Sequence, residues 1–398
     1  MAIIPVNQVN TIINEAYKQI TGTAPVEAIN LSTLVDIGNN PDICSSKEMA
    51  TKALTVAIAN TMYTDSMFDF KNSVSYYVNK EDFGAIMRTV SIEMPEVTSN
   101  PSWASIEDNK VTFGQYTFPL PIVNEQLYGK SATWALEYAI KNDMWANAFT
   151  SESNLMEFIS FIYLAERNAI VIHRHSEDMA NRNNFIAEKI NYALKNNDKK
   201  AYINIREMYN TEHGTAYTMA QFLNNADCLR YSVSVIKNYL NYVKEETVNF
   251  NTVKKPRHIN DDRLAIQMLS AYVNKVETVL YSDTRNLEFV KLDGYTEVPF
   301  WQSCGSYSFT DVSSINVNCV TDESNVVASG IIALIVDKYA IIHTIQSDRY
   351  VAHYEDIPNI QAISHQFKDR YVNNLTLSGI VFTISDTVEA GTNSAKVK

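Results

Sequence analysis

The first quarter of the chain places apolar residues at helical spacing. The pattern predicts an amphipathic helix that ends near Gly22 and a second helix that starts at the capping box of residues 45–48. Gly38 and Pro41 predict a loop between the two helices. The apolar face of the first helix consists of Val9, Ile12, Ile13, Ala16, Tyr17 and Ile20. We therefore expect the chain to begin with a helical segment.

The apolar period then changes to two, which predicts strands. Residues 90–94 alternate between apolar and polar, and a second alternating run covers residues 111–122 with a change of phase at Gly114. Pro119 and Pro121 cannot donate hydrogen bonds within a sheet, so this run suits a sheet edge or an extended arm. An isolated two-stranded ribbon is only marginally stable in water. We therefore expect this ribbon to need another surface.

The middle of the chain is predicted to be mainly helical. Only 11 glycines and 10 prolines occur in the sequence, and residues 122–255 contain no proline. Helices are predicted over residues 132–148 and over residues 219–246. Between them, residues 153–194 predict either one helix about 60 Å long or a helix that breaks around residues 173–178.

The last third has a mixed pattern, which predicts an α+β region. A helix is predicted over residues 272–281, aromatic and Ser-rich loops over 300–329, and a polar tail over 386–398. Strands are predicted over residues 263–268, 289–292, 331–336, 339–344, 349–354 and 374–385.

Composition narrows the class of protein. The chain has 398 residues, of which 46% are hydrophobic, so it can bury a sizeable core. Its 33 Lys and Arg against 45 Asp and Glu give a net charge of -12, which argues against a general nucleic-acid binder. We see no secretory signal and no apolar run of about 20 residues, so we expect synthesis in the cytosol and no membrane partner. The cysteines are far apart, which predicts reduced, buried thiols at Cys44, Cys228, Cys304 and Cys319.

The densest group of metal-binding residue types lies at residues 173–178. On a helix, His173 and Glu177 share a face at i and i+4, whereas His175 points about 200° away from His173. The sequence offers no third ligand beside them. We therefore interpret the segment as a solvated or interface helix, with a metal site as the alternative.

No other catalytic constellation is evident. The sequence lacks the glycine-rich phosphate-binding, serine-hydrolase and zinc-protease motifs. Three histidines of the last third lie in strand-like or amphipathic contexts, and we interpret them as structural: His343, His353 and His365. We assign no catalytic, cofactor-binding or metal-binding residue, and we expect no enzyme activity and no cofactor.

Basic residues concentrate at residues 254–258, which read Lys-Lys-Pro-Arg-His, together with Lys199 and Lys200. We interpret them as solvated loops, and the alternative is a local phosphate contact or a charge-steered interface. The 23 tyrosines favour an interface-rich protein, since tyrosine supplies amphipathic contact area. A gene of high A+T content would produce the same enrichment, and the sequence does not separate the two.

The order of the predicted elements resembles the major capsid proteins of tailed bacteriophages with the Hong Kong 97-type (Johnson) fold. The ribbon of residues 90–94 and 110–122 resembles the extended loop of that family, and residues 123–127 resemble the end of this loop running into a helical segment. Residues 158–184 are similar to the long helix of small short-tailed phages of the phi-twenty-nine type. Residues 334–338 and 349–385 resemble strands of the same capsids.

The resemblance implies an α+β capsid fold with consecutive parts. These are an N-terminal arm with helices (1–79), an extended β-loop (80–130), a spine helix with a peripheral domain (131–200), an axial domain (201–330), returning strands of both domains (331–385) and the polar tail (386–398). The sequence shows neither an immunoglobulin-like appendage after Ser385 nor a marked Lys and Asn pair for covalent cross-linking.

The same resemblance implies a structural function. The chain would form pentamers and hexamers of an icosahedral or prolate phage head, made in the host bacterial cytoplasm and incorporated into the virion capsid. Its implied partners are further copies of itself, a scaffolding protein, a portal and the packaged double-stranded DNA, which it would enclose without sequence-specific binding. The alternatives are a cytosolic metal-dependent or hydrolytic enzyme that uses His173, Glu177 and a distant histidine, and another virion protein near the portal or in the tail.

Overall fold

The computed structural model describes most of the chain from Tyr76 onward. The described residues are 76–79, 87–92, 123–129, 131–141, 144, 152–198, 200–283, 294–302, 311–321, 324–355, 360–386 and 389–391. The predicted N-terminal helices, the run at 111–122 and the strand at 289–292 lie outside these residues, as do Cys44 and Cys304.

The chain divides into two compact units, and the smaller unit is Glu81–Lys130. It contains strand β2 (Met87–Ile92), which pairs antiparallel with strand β3 (Val123–Tyr128). The predicted strand at residues 90–94 is therefore confirmed, although it ends at Ile92. Residues 123–127, which we expected to lead into a helix, are themselves a strand, because their backbone pairs in register with β2.

The larger unit contains a four-stranded sheet in the order β1, β11, β12, β4. The strands are β1 (Tyr76–Asn79), β4 (Ala132–Lys141), β11 (Ile341–Glu355) and β12 (Ile360–Asn373). β1 runs parallel to β11, and the other pairs are antiparallel.

The prediction of a helix over residues 132–148 is wrong for the part that forms β4. Its alanines, leucine and glutamate favour a helix, but the larger apolar residues recur every second position, at Trp134, Leu136, Tyr138 and Ile140. Pairing along ten residues of β12 satisfies the backbone and places these residues on one face. Pairing also joins the predicted strands 339–344 and 349–354 into β11. Its partner β12 was indicated only by the resemblance of residues 349–385 to capsid strands, and no pattern of apolar positions predicted it.

A five-stranded sheet forms the second layer, in the order β5, β13, β10, β6, β7. Its strands are β5 (Tyr202–Asn204), β6 (Leu264–Leu269), β7 (Thr296–Val298), β10 (Ile331–Asp337) and β13 (Gly379–Thr383). All residues of β10 are buried, because the strand is central and the sheet is covered. The predicted strands at 263–268 and 331–336 are confirmed, and residues 374–385 contain the shorter β13.

Helices pack around the two sheets. They are α1 (Glu152–Asn196), α2 (Ile205–His213), α3 (Met219–Leu223), α4 (Ala226–Lys244) and α5 (Ser270–Asp283). α1 confirms the long helix, and α5 confirms the helix at 272–281. The single helix predicted at 219–246 is wrong, because the side chain of Asn225 accepts a hydrogen bond from the Asp227 N–H and caps the start of α4.

A small three-stranded sheet corrects two further predictions. β8 (Ile315–Asn318), β9 (Asn325–Ala328) and β14 (Glu389–Gly391) pair antiparallel in the order β14, β9, β8. The first two lie in the region predicted as loops, and the third lies in the predicted polar tail. Their apolar alternation is only a few residues long, so it gives a weak pattern until the strands pair.

The main core fills the space around the five-stranded sheet. Its largest fully buried apolar side chains include Trp301, Phe185, Phe222 and Phe382. Cys228 and Cys319 are free and buried, as predicted. The two sheets with their helices confirm the α+β class. No helix among the described residues is long and apolar enough to cross a membrane.

Candidate functional site at the long helix

α1 is the element that both large sheets contact. It is one helix of 45 residues, about 68 Å long, without a break at residues 173–178. Its first half leaves Phe161 and Ile172 largely exposed, whereas residues 185–191 are buried around the whole helix. Buried charged side chains attach each half to a different sheet. We call these attachments the first and second joints, and they form the candidate functional site.

The first joint centres on Asp369 of β12, which is fully buried. Its Oδ2 accepts a hydrogen bond from Trp134 Nε1 at 3.0 Å and forms an ion pair with Arg174 Nε of α1 at 3.2 Å. His343 Nε2 of β11 lies 3.8 Å from the same oxygen. Burial alone would raise the pKa of Asp369, but His343, Arg174 and Trp134 together lower it. The carboxylate is therefore held ionised between the helix and three strands.

Aromatic rings enclose the ion pair. The rings of Trp134 and Phe367 stack with centroids 4.0 Å apart, and the guanidinium carbon of Arg174 lies 5.1 Å from the Phe367 centroid. His173 packs on Trp134, and the centroids of the two rings are 4.3 Å apart. The rings lower the local polarity, so removing either charge leaves the other without compensation.

The second joint lies about two turns further along α1, in the main core. Arg182 donates hydrogen bonds to the Trp301 carbonyl oxygen at 3.3 Å and to Gln267 at 3.4 Å, and its guanidinium lies over the Trp301 ring. Lys189 Nζ donates to the carbonyl oxygens of Phe250, Leu375 and Leu377 at 3.2–3.3 Å. Burial lowers the pKa of Lys189 to about 7. These bonds fix α1 to the loops around the five-stranded sheet.

Another buried charged residue of α1, Glu166, faces β4. The Tyr138 hydroxyl donates a hydrogen bond to Glu166 Oε1, while Glu166 Oε2 is buried and has no hydrogen-bond partner among the described residues. Burial raises the pKa of Glu166 to about 8, so the carboxyl is mostly neutral at pH 7.

Of the metal candidates, the structure places His173 in the first joint, and the candidates do not form a ligand set among the described residues. His173 packs on Trp134, and His175 is half-buried with its pKa lowered mainly by burial. Glu177 is half-buried on the same helix. Among the described residues, no group of His, Cys, Asp and Glu has metal-binding geometry.

The three later histidines occupy strands. His343 belongs to the Asp369 cluster, and His365 Nε2 lies 2.7 Å from Asp348 Oδ1. His353 pairs with Ala362 through the backbone of β11, and its side chain lies outside the described residues. The contacts of His343 and His365 agree with the interpretation as structural histidines, which stays a prediction.

The basic residues largely make local contacts. Lys254 forms an ion pair with Asp198, the backbone of Lys255 bonds to Asn251, and Arg257 pairs with Thr247 through backbone hydrogen bonds. Lys200 Nζ donates to Asn249 at 2.7 Å, and Lys199 lies outside the described residues. This arrangement agrees with the interpretation as loops.

The buried charged residues of the candidate site could not be recognised from the sequence. Arg174, Glu166, Lys189 and Asp369 belong to no motif, and their partners lie far away in sequence. One signal was present: Glu166 interrupts the apolar positions of the predicted helix face, where a charge needs a partner or a changed pKa.

Structural comparison identifies phage proteins of low sequence identity. A chain in the capsid structure of Staphylococcus phage Andhra aligns with a TM-score of 0.48 and 10% identity over 79% of this chain and 85% of that chain. A chain in the structure of head fiber and inner core protein gp22 of native bacteriophage P68 aligns with a TM-score of 0.47 and 10% identity over 80% of this chain and 86% of that chain. A chain from the asymmetric unit of the bacteriophage PhiM1 mature capsid aligns with a TM-score of 0.41 and 10% identity over 81% of this chain and 90% of that chain. No protein-family model and no curated protein matches the chain.

The elements themselves agree with the fold expected from the sequence. A separate unit, whose described part is one pair of strands, precedes a long helix. The helix joins a four-stranded sheet to a five-stranded sheet with its own helices, and β11, β12 and β13 return to these two sheets. These elements confirm the predicted α+β class.

Proposed function

We propose that the chain is the major capsid protein of a tailed bacteriophage, similar to the small short-tailed phages of the phi-twenty-nine type. Copies of it self-assemble as pentamers and hexamers into an icosahedral or prolate head shell. The protein acts through geometry and not through catalysis.

One observation carries the proposal, namely the unit Glu81–Lys130. Its described part is only a two-stranded ribbon, and its Val90 and Leu127 are 45% and 59% exposed. A two-stranded ribbon is marginal in water, and exposed apolar side chains on it gain from burial against another surface. In a shell, a neighbouring subunit supplies that surface.

The joints of α1 support the same function. A shell subunit has to keep its shape while its neighbours push against it. The Asp369 and Arg174 pair fixes α1 to the four-stranded sheet, and Lys189 fixes it to the loops of the five-stranded sheet. We propose that residues 201–330 form the axial domain around each pentamer or hexamer, and that residues 80–130 bridge neighbours.

The charge of the chain suits a container for DNA. With a net charge of -12, most of the subunit surface repels the phosphate backbone, so packaged DNA can move against an inner wall without adhering. We propose assembly with a scaffolding protein and a portal in the host cytoplasm, with the mature subunit located in the virion.

Electron microscopy tests this function. The chain is expressed alone and with a candidate scaffolding protein, and we expect closed shells in one of the two preparations. Leu127→Asp should reduce assembly, because it places a charge on the exposed apolar face of the ribbon. Gln126→Asp adds the same charge at the neighbouring exposed position without removing apolar area, so it should assemble.

Two outcomes would contradict the proposal. One is a chain that stays monomeric under all assembly conditions with both variants behaving alike. The other is a low copy number in purified virions, because a major capsid protein gives the strongest band on a virion gel and a portal-proximal or tail protein does not. Stoichiometric Zn²⁺ or Mn²⁺ in the purified chain would favour the enzyme hypothesis instead.

A further inference from the structure

A cavity of about 530 Å³ lies between β4 and the first half of α1. The strand contributes alternate residues, among them Leu136 and Ile140, and the helix contributes Phe158 and Ile162 from adjacent turns. The next helical positions on this face are alanines, Ala165 and Ala169. Their short side chains leave open the space that larger side chains would fill, and its volume is that of a small-ligand site.

Among the described residues that line the cavity, Glu166 is the only acidic or basic one. This residue lines the cavity and is only 4% exposed. Its Oε1 accepts a hydrogen bond from Tyr138, whereas its Oε2 has no partner within the part of the chain that the structure describes. A buried carboxyl oxygen without a partner costs free energy, and a ligand that supplies one would recover it.

We propose that this cavity binds an alkylammonium group, whose apolar chain packs against Leu136, Phe158 and Ile162 while its nitrogen donates to Glu166 Oε2. Two sources share this chemistry: a free alkylamine, and a lysine side chain presented by an apolar segment of another protein. The proposal does not depend on shell assembly.

Electrostatics favours a cation over a neutral ligand. Burial raises the pKa of Glu166 to about 8, and no charge of a described residue is among the causes of this shift. The described ionisable groups that interact with Glu166 include the phenols of Tyr138 and Tyr350. An amine with a pKa of about 10.4 stays protonated while it displaces the carboxyl proton, and the resulting ion pair forms at a carboxyl that is itself buried. An alcohol of equal length gains only a neutral hydrogen bond.

Calorimetry on the purified full-length chain tests the site with n-heptylammonium chloride as the probe. We expect saturable binding that 1-heptanol and heptanoate do not match. Binding at pH 7 should release close to one proton per ligand, since Glu166 is mostly protonated beforehand. Affinity should rise about 50-fold between pH 6 and pH 8, because only the ionised carboxylate pairs with the cation.

Variants separate the carboxyl from the apolar wall. Glu166→Gln keeps the shape, and it should abolish the proton release and the preference for amine over alcohol. Ala165→Leu fills the cavity, and it should weaken binding of every probe at least tenfold. Glu157→Gln, on an exposed position of the same helix, should bind like the natural chain. Circular dichroism confirms that each variant is folded.

A second arm identifies the source. An apolar peptide with one central lysine is compared with the same peptide carrying norleucine. Lysine-dependent binding at Glu166 supports the protein source, and binding of the free amine alone supports the small-molecule source. The proposal is overturned if heptylammonium fails to bind, if it binds no better than heptanol, or if Glu166→Gln leaves its affinity and pH dependence unchanged.

Discussion

Substitution of Gly330 by alanine tests how closely the final strands pack. Gly330 has a φ of +70°, where a residue with a Cβ is disfavoured by about 1–2 kcal/mol. A Cβ there would lie 2.9 Å from the backbone nitrogen of Ser385. The backbone cannot easily move away, since the Gly330 N–H donates to Ser313 and its carbonyl oxygen accepts from Ile384 and Thr383.

Gly330→Ala has two costs in free energy, the backbone strain at positive φ and the steric overlap of the new Cβ with Ser385. A matched control variant separates them. Gly214 has a similar φ of +64° at the end of α2, and a Cβ there has nothing within 4 Å. Gly214→Ala should therefore lower the free energy of unfolding by about 1 kcal/mol through backbone strain alone. Gly330→Ala adds a collision in a packed region, which costs about 1–3 kcal/mol more. The total expected for Gly330→Ala is about 2–5 kcal/mol.

Urea unfolding followed by tryptophan fluorescence measures the difference. Trp301 is a suitable reporter, because it is fully buried and its indole Nε1 donates to the carbonyl oxygen of Ile331, next to Gly330. Equal slopes with a lower midpoint would mean that stability itself has changed. If Gly330→Ala and Gly214→Ala lower stability equally, the close approach to Ser385 contributes nothing and the packing argument is refuted.

Three further predictions concern the buried charges of α1. Burial raises the pKa of Glu166 from 4.5 to about 8, so its contribution to the free energy of unfolding is complete below pH 4.5 and is lost as the pH rises through 8. In the natural chain the free energy of unfolding should therefore fall by up to about 5 kcal/mol over this range, and Glu166→Gln should remove the fall. Burial lowers the pKa of Lys189 to about 7, so between pH 7 and 10.5 the unfolded chain binds more protons than the folded chain, and the free energy of unfolding should rise with pH. Lys189→Met should abolish this rise, and an unchanged dependence of the free energy of unfolding on pH would contradict the prediction. Arg174→Met leaves Asp369 buried without its cation and should lower the free energy of unfolding in urea by about 3–5 kcal/mol. The double variant with Asp369→Leu should lose less free energy of unfolding than the two single variants together, and strictly additive losses would show that the pair does not interact.

The pattern of apolar positions was sufficient where an element is long and regular. α1 follows from its sustained helical period and the absence of Gly and Pro, and β10 follows from an uninterrupted apolar run. Both patterns are local, because each depends only on residues that lie close together in the sequence. The alternation that begins at Val90 likewise indicated β2.

The prediction failed where distant pairing decided the conformation. β4 contains helix-forming residues, yet β12, more than 200 positions away, holds it as a strand. The charged joints of α1 were equally hidden, because Arg174 and Asp369 are separated by 195 positions and neither lies in a motif. Glu166 was visible only as an irregularity in an apolar face.

By itself, the sequence determined the α+β class, the long central helix, the strand that begins before Val90 and the acidic character of this protein. These properties depend on local periodicity and on composition, which need no knowledge of contacts. Only the tertiary structure decided which strands pair, which charges are buried together and where the cavity beside Glu166 lies. Those features arise from contacts between segments far apart in the chain, and their free energies exist only once the segments meet.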